Sequence, residues 1–432
     1  VANPEGVSSL AKEMTRLERQ CPESGVSGQE ETEYGGSFHA GTDSYLSYYD
    51  EHGETPTRNG ASNSWGKGKE IYKTLKQHVT GNEGCLNCVL QCGKIAEVKD
   101  GKWKTPKGEW PEYETTVGFA HYILNDDVEA IIHMNHLCNT YGMDTISCAN
   151  TIAFAMECYE KGWINREDTD GIELTWGNMD ATKAMVEKIG RREGFGKILG
   201  EGVRRAAAKI GKGAPGIAIH VKGLELPAHD PRSDTDGKAW ALQYGTASRG
   251  MCHVHPHEPC IISLYLEELG YKKEDWEGAE EPYSTTGKAK IVKWAQDYGT
   301  VLNQMGLCNF HSYIMPGSDP GRYAKILSAA TGWEINRADL LRLGERVFNL
   351  QRCFNVREGI RRKDDLMPEK ICQVPAFGPF SNVPETAITT KDYETMLDEY
   401  YEMRGWKRET GVPTSKKLNE LELEWVSEKM PR

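Results

Sequence analysis

The sequence predicts a mostly α protein of two packed helical domains, and three observations carry that reading. Apolar residues recur at helical spacing in stretch after stretch. Several of these stretches stop at a glycine suited to closing a helix. Only one short run reads as a strand, and a chain of 432 residues is too long for one ordinary core.

The elements follow in order. Residues 35–68 are rich in Gly, Ser, Thr and Asn and read as irregular chain, with Pro56 fixing a turn. Val128, Ile131, Met134 and Leu137 repeat at helical steps after Asp126 and Asp127, carboxylates that favour a helix start. A second helix is expected over Ser147–Lys161, closed by Gly162. Others are expected over Ala181–Ile189 and Val203–Ile210, each followed by a glycine. Ile217-Ala218-Ile219-His220-Val221 is the strand candidate. It falls beside a natural boundary, so the domains are expected to be 1–222 and 223–432. Beyond it, helices fit Lys288–Leu302, Ala338–Phe354 and Tyr393–Met403.

Bulk composition narrows the function. Hydrophobic content of 38% and charged content of 27% place the chain among soluble globular proteins. No apolar run approaches the ~18 residues of a membrane span. Val1-Ala2-Asn3-Pro4 opens no signal peptide, so a cytoplasmic location is expected. The missing initiator methionine fits a processed chain or one that starts inside a longer product. A net charge of −12 argues against nucleic acid as the main partner.

The 12 cysteines do not form a secreted disulfide scaffold. Cys21, Cys138, Cys148, Cys158, Cys353 and Cys372 are scattered and read as small core residues. Cys85, Cys88 and Cys92 are different, because their C-x₂-C-x₃-C spacing lets a tight loop turn three thiolates toward one centre. Flanking Gly84 and Gly93 allow close backbone approach. Soft thiolates suit an iron–sulfur cluster, which needs a fourth ligand from elsewhere. Zinc is the rival, with His78 nearby as the fourth ligand.

A second pattern involves two hexapeptides. Asn139-Thr140-Tyr141-Gly142-Met143-Asp144 and Asn303-Gln304-Met305-Gly306-Leu307-Cys308 share a frame: polar, two residues, glycine, apolar, then Asp or Cys. Each is expected to close a helix and enter a turn through a glycine at positive φ.

These hexapeptides resemble the paired pterin-binding motifs of the aldehyde:ferredoxin oxidoreductase family, Asp-x-x-Gly-Leu-Asp and Asp-x-x-Gly-Leu-Cys. Pro56-Thr57-Arg58-Asn59, Glu112-Tyr113-Glu114-Thr115, Ser248-Arg249-Gly250-Met251-Cys252-His253 and Arg404-Gly405-Trp406 extend the likeness in family order across nearly the whole chain. The resemblance implies the helical second and third domains of such an enzyme. It implies that Cys308 joins Cys85, Cys88 and Cys92 on one [4Fe–4S] cluster. It also implies tungsten, or sometimes molybdenum, held by two pterins, with Mg bridging the pterin phosphates. The pterin contacts would be Asn139, Gly142, Met143, Asp144, Asn303, Gly306, Leu307 and His255. The implied reaction oxidises an aldehyde with water to a carboxylic acid and passes electrons to ferredoxin or a similar subunit, in an anaerobic setting and from a homo-oligomer.

By the same resemblance Glu114 is the active-site carboxylate and His253 the histidine beside the metal. Without it, Glu114 reads as a helix-start carboxylate, and Glu112 is its rival. His253, His255 and His257 alternate along the chain and also fit a zinc or copper site. Trp240, Tyr244 and Tyr265 are guesses at the pocket lining. The sequence departs from the family pattern at several points. Asn139 and Asn303 replace the usual Asp, Val89 replaces a proline, and His255 stands where a longer cation is common. The N-terminal β domain that seats the pterins in the family is expected to be missing from this chain. Two alternatives remain at this stage: the tungsten subunit of a class II benzoyl-coenzyme A reductase, and an electron-transfer subunit that binds only the cluster.

Overall fold

The computed structural model describes residues 1–26, 36–254, 271–312 and 319–430. His255, His257 and Tyr265 lie outside the described residues. Helices account for 53% and strands for 6%, as a mostly α protein requires.

The chain forms two compact units. One comprises Val1–Ser27, Asp236–Leu366 and Ile388–Arg432, and the other Gly28–Thr235 and Met367–Ala387. The chain therefore crosses between units four times, where the sequence reading places one division near residue 222. The cause lies in pairings between distant segments. The N-terminal helix Pro4–Gln20 packs on the helix Pro320–Thr331, with the Ala2 and Asn3 N–H groups donating to the Ala330 and Ala329 carbonyls. Residues 367–387 return to the other unit, where Ala376 N–H donates to the Ala61 carbonyl at 2.8 Å. Local periodicity carries no sign of either pairing.

In the unit containing 28–235, the helix Val128–Tyr141 starts at Asp127, whose side chain accepts the Ala130 N–H, and ends at Gly142. Asp144 caps the next helix, Thr145–Glu160. The helix Met179–Arg191 runs through Gly190 instead of stopping there. A Cβ at Gly190 would lie 2.5 Å from the Tyr141 ring, so this glycine serves close packing, not helix closure. The helix Val203–Ile210 does end on its glycine, Gly211, at φ 68°. Ile131, Met134, Cys138, Ile152, Phe154, Met156, Met185 and Val186 form a common core. Each large apolar side chain buried this way contributes about 1.5–3 kcal/mol.

A three-stranded antiparallel sheet was not expected from the sequence: β1 (Val79–Glu83), β2 (Gly93–Val98) and β3 (Thr105–Glu109), in that order. Only β2 alternates cleanly, with Lys94, Ala96 and Val98 inside. The flanking strands carry Gly, Pro and Lys and are mostly exposed, so their signal is weak. The strand expected over 217–221 is shorter. A 3₁₀ turn covers Ala214–Ile217, and β4 (His220–Val221) pairs with β5 (Leu224–Glu225). The stretch 35–68 holds a short helix, Leu46–Glu51, and its turn at Arg58, Asn59 and Gly60 lies at positive φ.

In the other unit, the helix Lys288–Met305 packs against Lys238–Thr246, Arg337–Arg357 and Thr390–Arg404. Two buried arginines tie these helices together. Arg404 pairs with Asp297 and donates to Tyr400 Oη at 2.9 Å. Arg352 grips Asp365 through two nitrogens, at 2.9 and 2.7 Å. No helix among the described residues is long and apolar enough to cross a membrane. Cys21, Cys138, Cys148, Cys158 and Cys353 are buried as core residues, whereas Cys372 is only half-buried.

Candidate functional site

Glu114 stands in the first turn of the helix Tyr113–Phe119. Thr42 fixes that turn, because its hydroxyl accepts the Tyr113 N–H at 3.0 Å and donates to the Glu112 carboxylate. Glu112 is thus occupied at the helix start, and burial pushes its carboxyl above the ordinary range. Glu114 turns the other way. Its Oε2 accepts the Ala228 N–H at 2.7 Å, and its Oε1 lies 3.5 Å from His229 Nε2. Burial pushes the Glu114 carboxyl up to about 8; the charges of Asp144 and Glu54 act the same way, and the Ala228 N–H opposes them. A carboxyl balanced so near neutral pH is suited to moving protons.

The sequence reading missed His229. Its ring is buried between Tyr49 and Tyr113, with centroids 5.4 and 5.3 Å away, and Nδ1 is bonded to Glu54. Burial depresses its pKa to about 3, which keeps the ring neutral. The available signal was Pro227-Ala228-His229-Asp230-Pro231-Arg232, polar groups locked between prolines. Asp230 and Arg232 there form a fully buried bidentate pair at 2.8 and 2.6 Å.

The three clustered cysteines lie on the loop joining β1 to β2, which closes where Glu83 pairs with Gly93. Cys85 is exposed, while Cys88 and Cys92 are half-buried. Cys88 N–H donates to the Cys85 carbonyl at 3.0 Å, and Asn87 and Gln91 sit at φ 60° and 48°. A Cβ at Gly84 would come within 2.9 Å of Gln91, so the tight loop needs that glycine. Zinc, at about 2.3 Å from each sulfur, would draw its ligand atoms to within ~4 Å of one another. Among the described residues, no group of three such atoms gathers at this loop or with His78. Three thiols on one loop are a soft donor set of the kind that holds a thiolate-bound metal centre.

The two hexapeptide turns share one geometry. Gly142 lies at φ 66°, ψ 38° and Gly306 at φ 68°, ψ 30°. The N–H groups of Gly142 and Met143 donate back to Asn139 and Cys138, and those of Gly306 and Leu307 to Asn303 and Leu302. Asn139, Gly142, Asp144, Asn303, Gly306 and Cys308 are exposed, with Met143 and Leu307 half-buried. A Cβ on either glycine would meet nothing within 4 Å, so both turns present open backbone. Asp144 also caps its helix by accepting the Ser147 N–H at 2.7 Å.

Cys85, Cys88, Cys92, Glu114, Asn139, Gly142, Met143 and Asp144 belong to the unit containing 28–235; His253, Asn303, Gly306, Leu307 and Cys308 belong to the other. His253 is half-buried, and its carbonyl accepts from the Gln243 side chain at 3.4 Å. Trp240 and Tyr244 stack at 5.3 Å and are fully buried, which makes them core residues. A cavity of about 340 Å³, lined by Trp65, Phe377 and Pro379 among others, includes none of the expected site residues.

Residues 27–423 match the family described as aldehyde ferredoxin oxidoreductase, domains 2 and 3. The chain is 33% identical to the tungsten-containing aldehyde ferredoxin oxidoreductase of Pyrococcus furiosus, over 80% of this chain and 53% of that protein. It is also 33% identical to the enzyme of the same name from Pyrococcus horikoshii, over 90% and 61%. The chain therefore spans little more than half the length of these curated relatives. Among solved structures, it is similar to the active site complex BamBC of benzoyl coenzyme A reductase in complex with 1,5-dienoyl-CoA. That likeness has a TM-score of 0.76 at 21% identity, covering 99% of this chain and 66% of the other, and concerns the fold alone.

Proposed function

The chain belongs to the aldehyde ferredoxin oxidoreductase family, and from that premise we propose that it oxidises an aldehyde with water to a carboxylic acid, using tungsten. A [4Fe–4S] cluster, when bound, would supply the one-electron transfer to ferredoxin as acceptor. One observation carries this reading most directly: Glu114 is a half-buried carboxyl held by the Ala228 N–H at 2.7 Å beside His229, with burial pushing it up to about 8.

The open turns at Gly142 and Gly306 suit two pterins, and Asn139, Asp144, Asn303 and the backbone at Met143 and Leu307 offer acceptors and donors for them. Cys85, Cys88 and Cys92 would supply three thiolates to the cluster, and Cys308 the fourth. When bound, the tungsten–pterin centre supplies the two-electron redox chemistry, and the cluster the one-electron transfer.

The chain's own residues handle the proton and the charge. In its ionised form Glu114 takes a proton from the attacking water, and it releases that proton to solvent before the next turnover. His253 donates a hydrogen bond to the aldehyde oxygen as negative charge develops there. Elemental analysis of the anaerobically purified protein, combined with a panel of aldehydes and ferredoxin as acceptor, tests the proposal. Iron, sulfide and tungsten with aldehyde-dependent reduction of ferredoxin are expected. Protein fully loaded with all three that reduces ferredoxin with no aldehyde sinks it.

A further inference from the structure

Glu114, His229 and Glu54 form a line of groups within one unit, with His229 and Glu54 buried and Glu114 half-buried. His229 Nε2 lies 3.5 Å from Glu114 Oε1, and on the far side of the ring Nδ1 is bonded to Glu54 Oε1. Glu54 Oε2 in turn accepts from the half-buried Thr235 hydroxyl. The Tyr49 and Tyr113 rings flank the imidazole, and the Tyr113 hydroxyl is turned away to donate to the Ala228 carbonyl at 2.8 Å. The ring therefore has its plane set by aromatic packing and each nitrogen aimed at a different carboxyl.

A carboxylate beside Nδ1 selects the tautomer that carries its proton there, which makes Nε2 an acceptor. That acceptor faces Glu114. We propose that His229 is a positioning residue for Glu114: Glu54 fixes its tautomer, and its Nε2 then accepts the hydrogen bond of the protonated Glu114 carboxyl. The arrangement follows the logic by which a third group orients a catalytic base, with the histidine here in the middle and the working carboxyl at one end.

Glu114 Oε2 accepts the Ala228 N–H at 2.7 Å, and Oε1 stands 3.5 Å from His229 Nε2, the outer reach of a hydrogen bond that a proton on the carboxyl would draw shorter. The charges of Asp144 and Glu54, in the same unit, favour the same protonated state. The neutrality of the buried His229 ring agrees with its role as acceptor. The proton is thereby held at one oxygen and one angle, beside an imidazole whose plane the Tyr49 and Tyr113 rings set.

The inference rests on Glu114 as the proton-handling group of the proposed reaction, yet its central bond is measurable without turnover. Infrared spectra of the anaerobic holoenzyme near neutral pH should contain a protonated-carboxyl band that Glu114→Gln removes. In His229→Leu the band should move to higher frequency, because the hydroxyl has lost its acceptor. His229→Gln, close in size and a weaker acceptor, should move it the same way by less, and it serves if the leucine variant fails to fold. Turnover of either variant should fall by at least about tenfold in kcat with little change in KM. Imidazole added to His229→Gly should restore both band and rate. A band that stays in place in a folded His229 variant overturns the proposal, as does the absence of any such band in the wild type. Should the wild type turn over no aldehyde at all, the proposed function fails, and the band alone decides the role of His229.

Discussion

The Ala228 backbone N–H donates to Glu114 Oε2 at 2.7 Å, although 114 residues separate them in the chain. This bond is the main local force favouring the ionised carboxyl. Burial and two neighbouring anions oppose it and win, leaving Glu114 near 8 and largely protonated at neutral pH.

Turnover that requires the ionised form of Glu114 should therefore rise with pH and level off above about 8. Glu114→Gln keeps the shape and cannot accept a proton, so its rate should drop ~10²–10⁴-fold and lose this dependence. Iron and tungsten contents should stay at wild-type levels. A Glu112→Gln change should be milder, since that residue is engaged at the helix start. Steady-state rates between mildly acidic and alkaline pH, with metal analysis alongside, check all three.

The same shift bears on stability. The folded-state value of Glu114 lies above its unfolded value of about 4.5, so the folded protein retains a proton that the unfolded chain releases. This group therefore makes stability decline as pH rises from about 4.5 through 8. Glu114→Gln removes the titrating group and should be more stable than wild type in mild alkali, by roughly 3–5 kcal/mol. The advantage should vanish near pH 4. Urea melts of both proteins across that range measure the difference.

Asp50 behaves in the opposite sense. Burial alone would raise its carboxyl, but His121 and the N–H groups of Gly68 and Trp65 hold it far below the ordinary range. Thr55 and Ser64 add hydroxyl donors at 2.9 and 3.1 Å, so one carboxylate gathers the loop from 55 to 68. Its contribution is full above the unfolded value near 3.8 and is lost as pH falls below it. Asp50→Asn should cost ~3–5 kcal/mol near neutral pH and much less in strong acid. Denaturant midpoints at both conditions provide the check.

Cys308 lies more than two hundred residues from Cys92 in the sequence and is exposed. If it completes the ligand set, Cys308→Ala should lower iron from about four per chain to three or fewer, while protein folding is unaffected. Anaerobic iron and sulfide assays with electron paramagnetic resonance distinguish a three-iron form from an intact cluster.

Much of this was legible because it is local. Helix periods, capping carboxylates and closing glycines name their own segments, and Gly142 and Gly306 adopt the turn that their shared frame implies. Gly190 misled because a glycine needed for packing against Tyr141 reads the same as one that ends a helix. The sheet went unnoticed because the backbone pairing of β1 and β3 with β2 draws on few apolar side chains. In the site, Glu114 was found through its motif, but nothing near it in the chain announces Ala228 or His229. Their meeting is a product of tertiary packing, and only the proline-bracketed run around His229 hinted at a fixed backbone.

The segment 367–387 has a consequence for how the chain is made. Buried Arg232 donates to the Gln373 carbonyl, 141 residues later, at 3.2 Å. At ~5–20 residues per second, a ribosome delivers that carbonyl roughly 7–28 s after the guanidinium emerges. Ala61 likewise waits for the N–H of Ala376. The unit that contains 28–235 is thus finished only after residues 236–366 of the other unit have been synthesised.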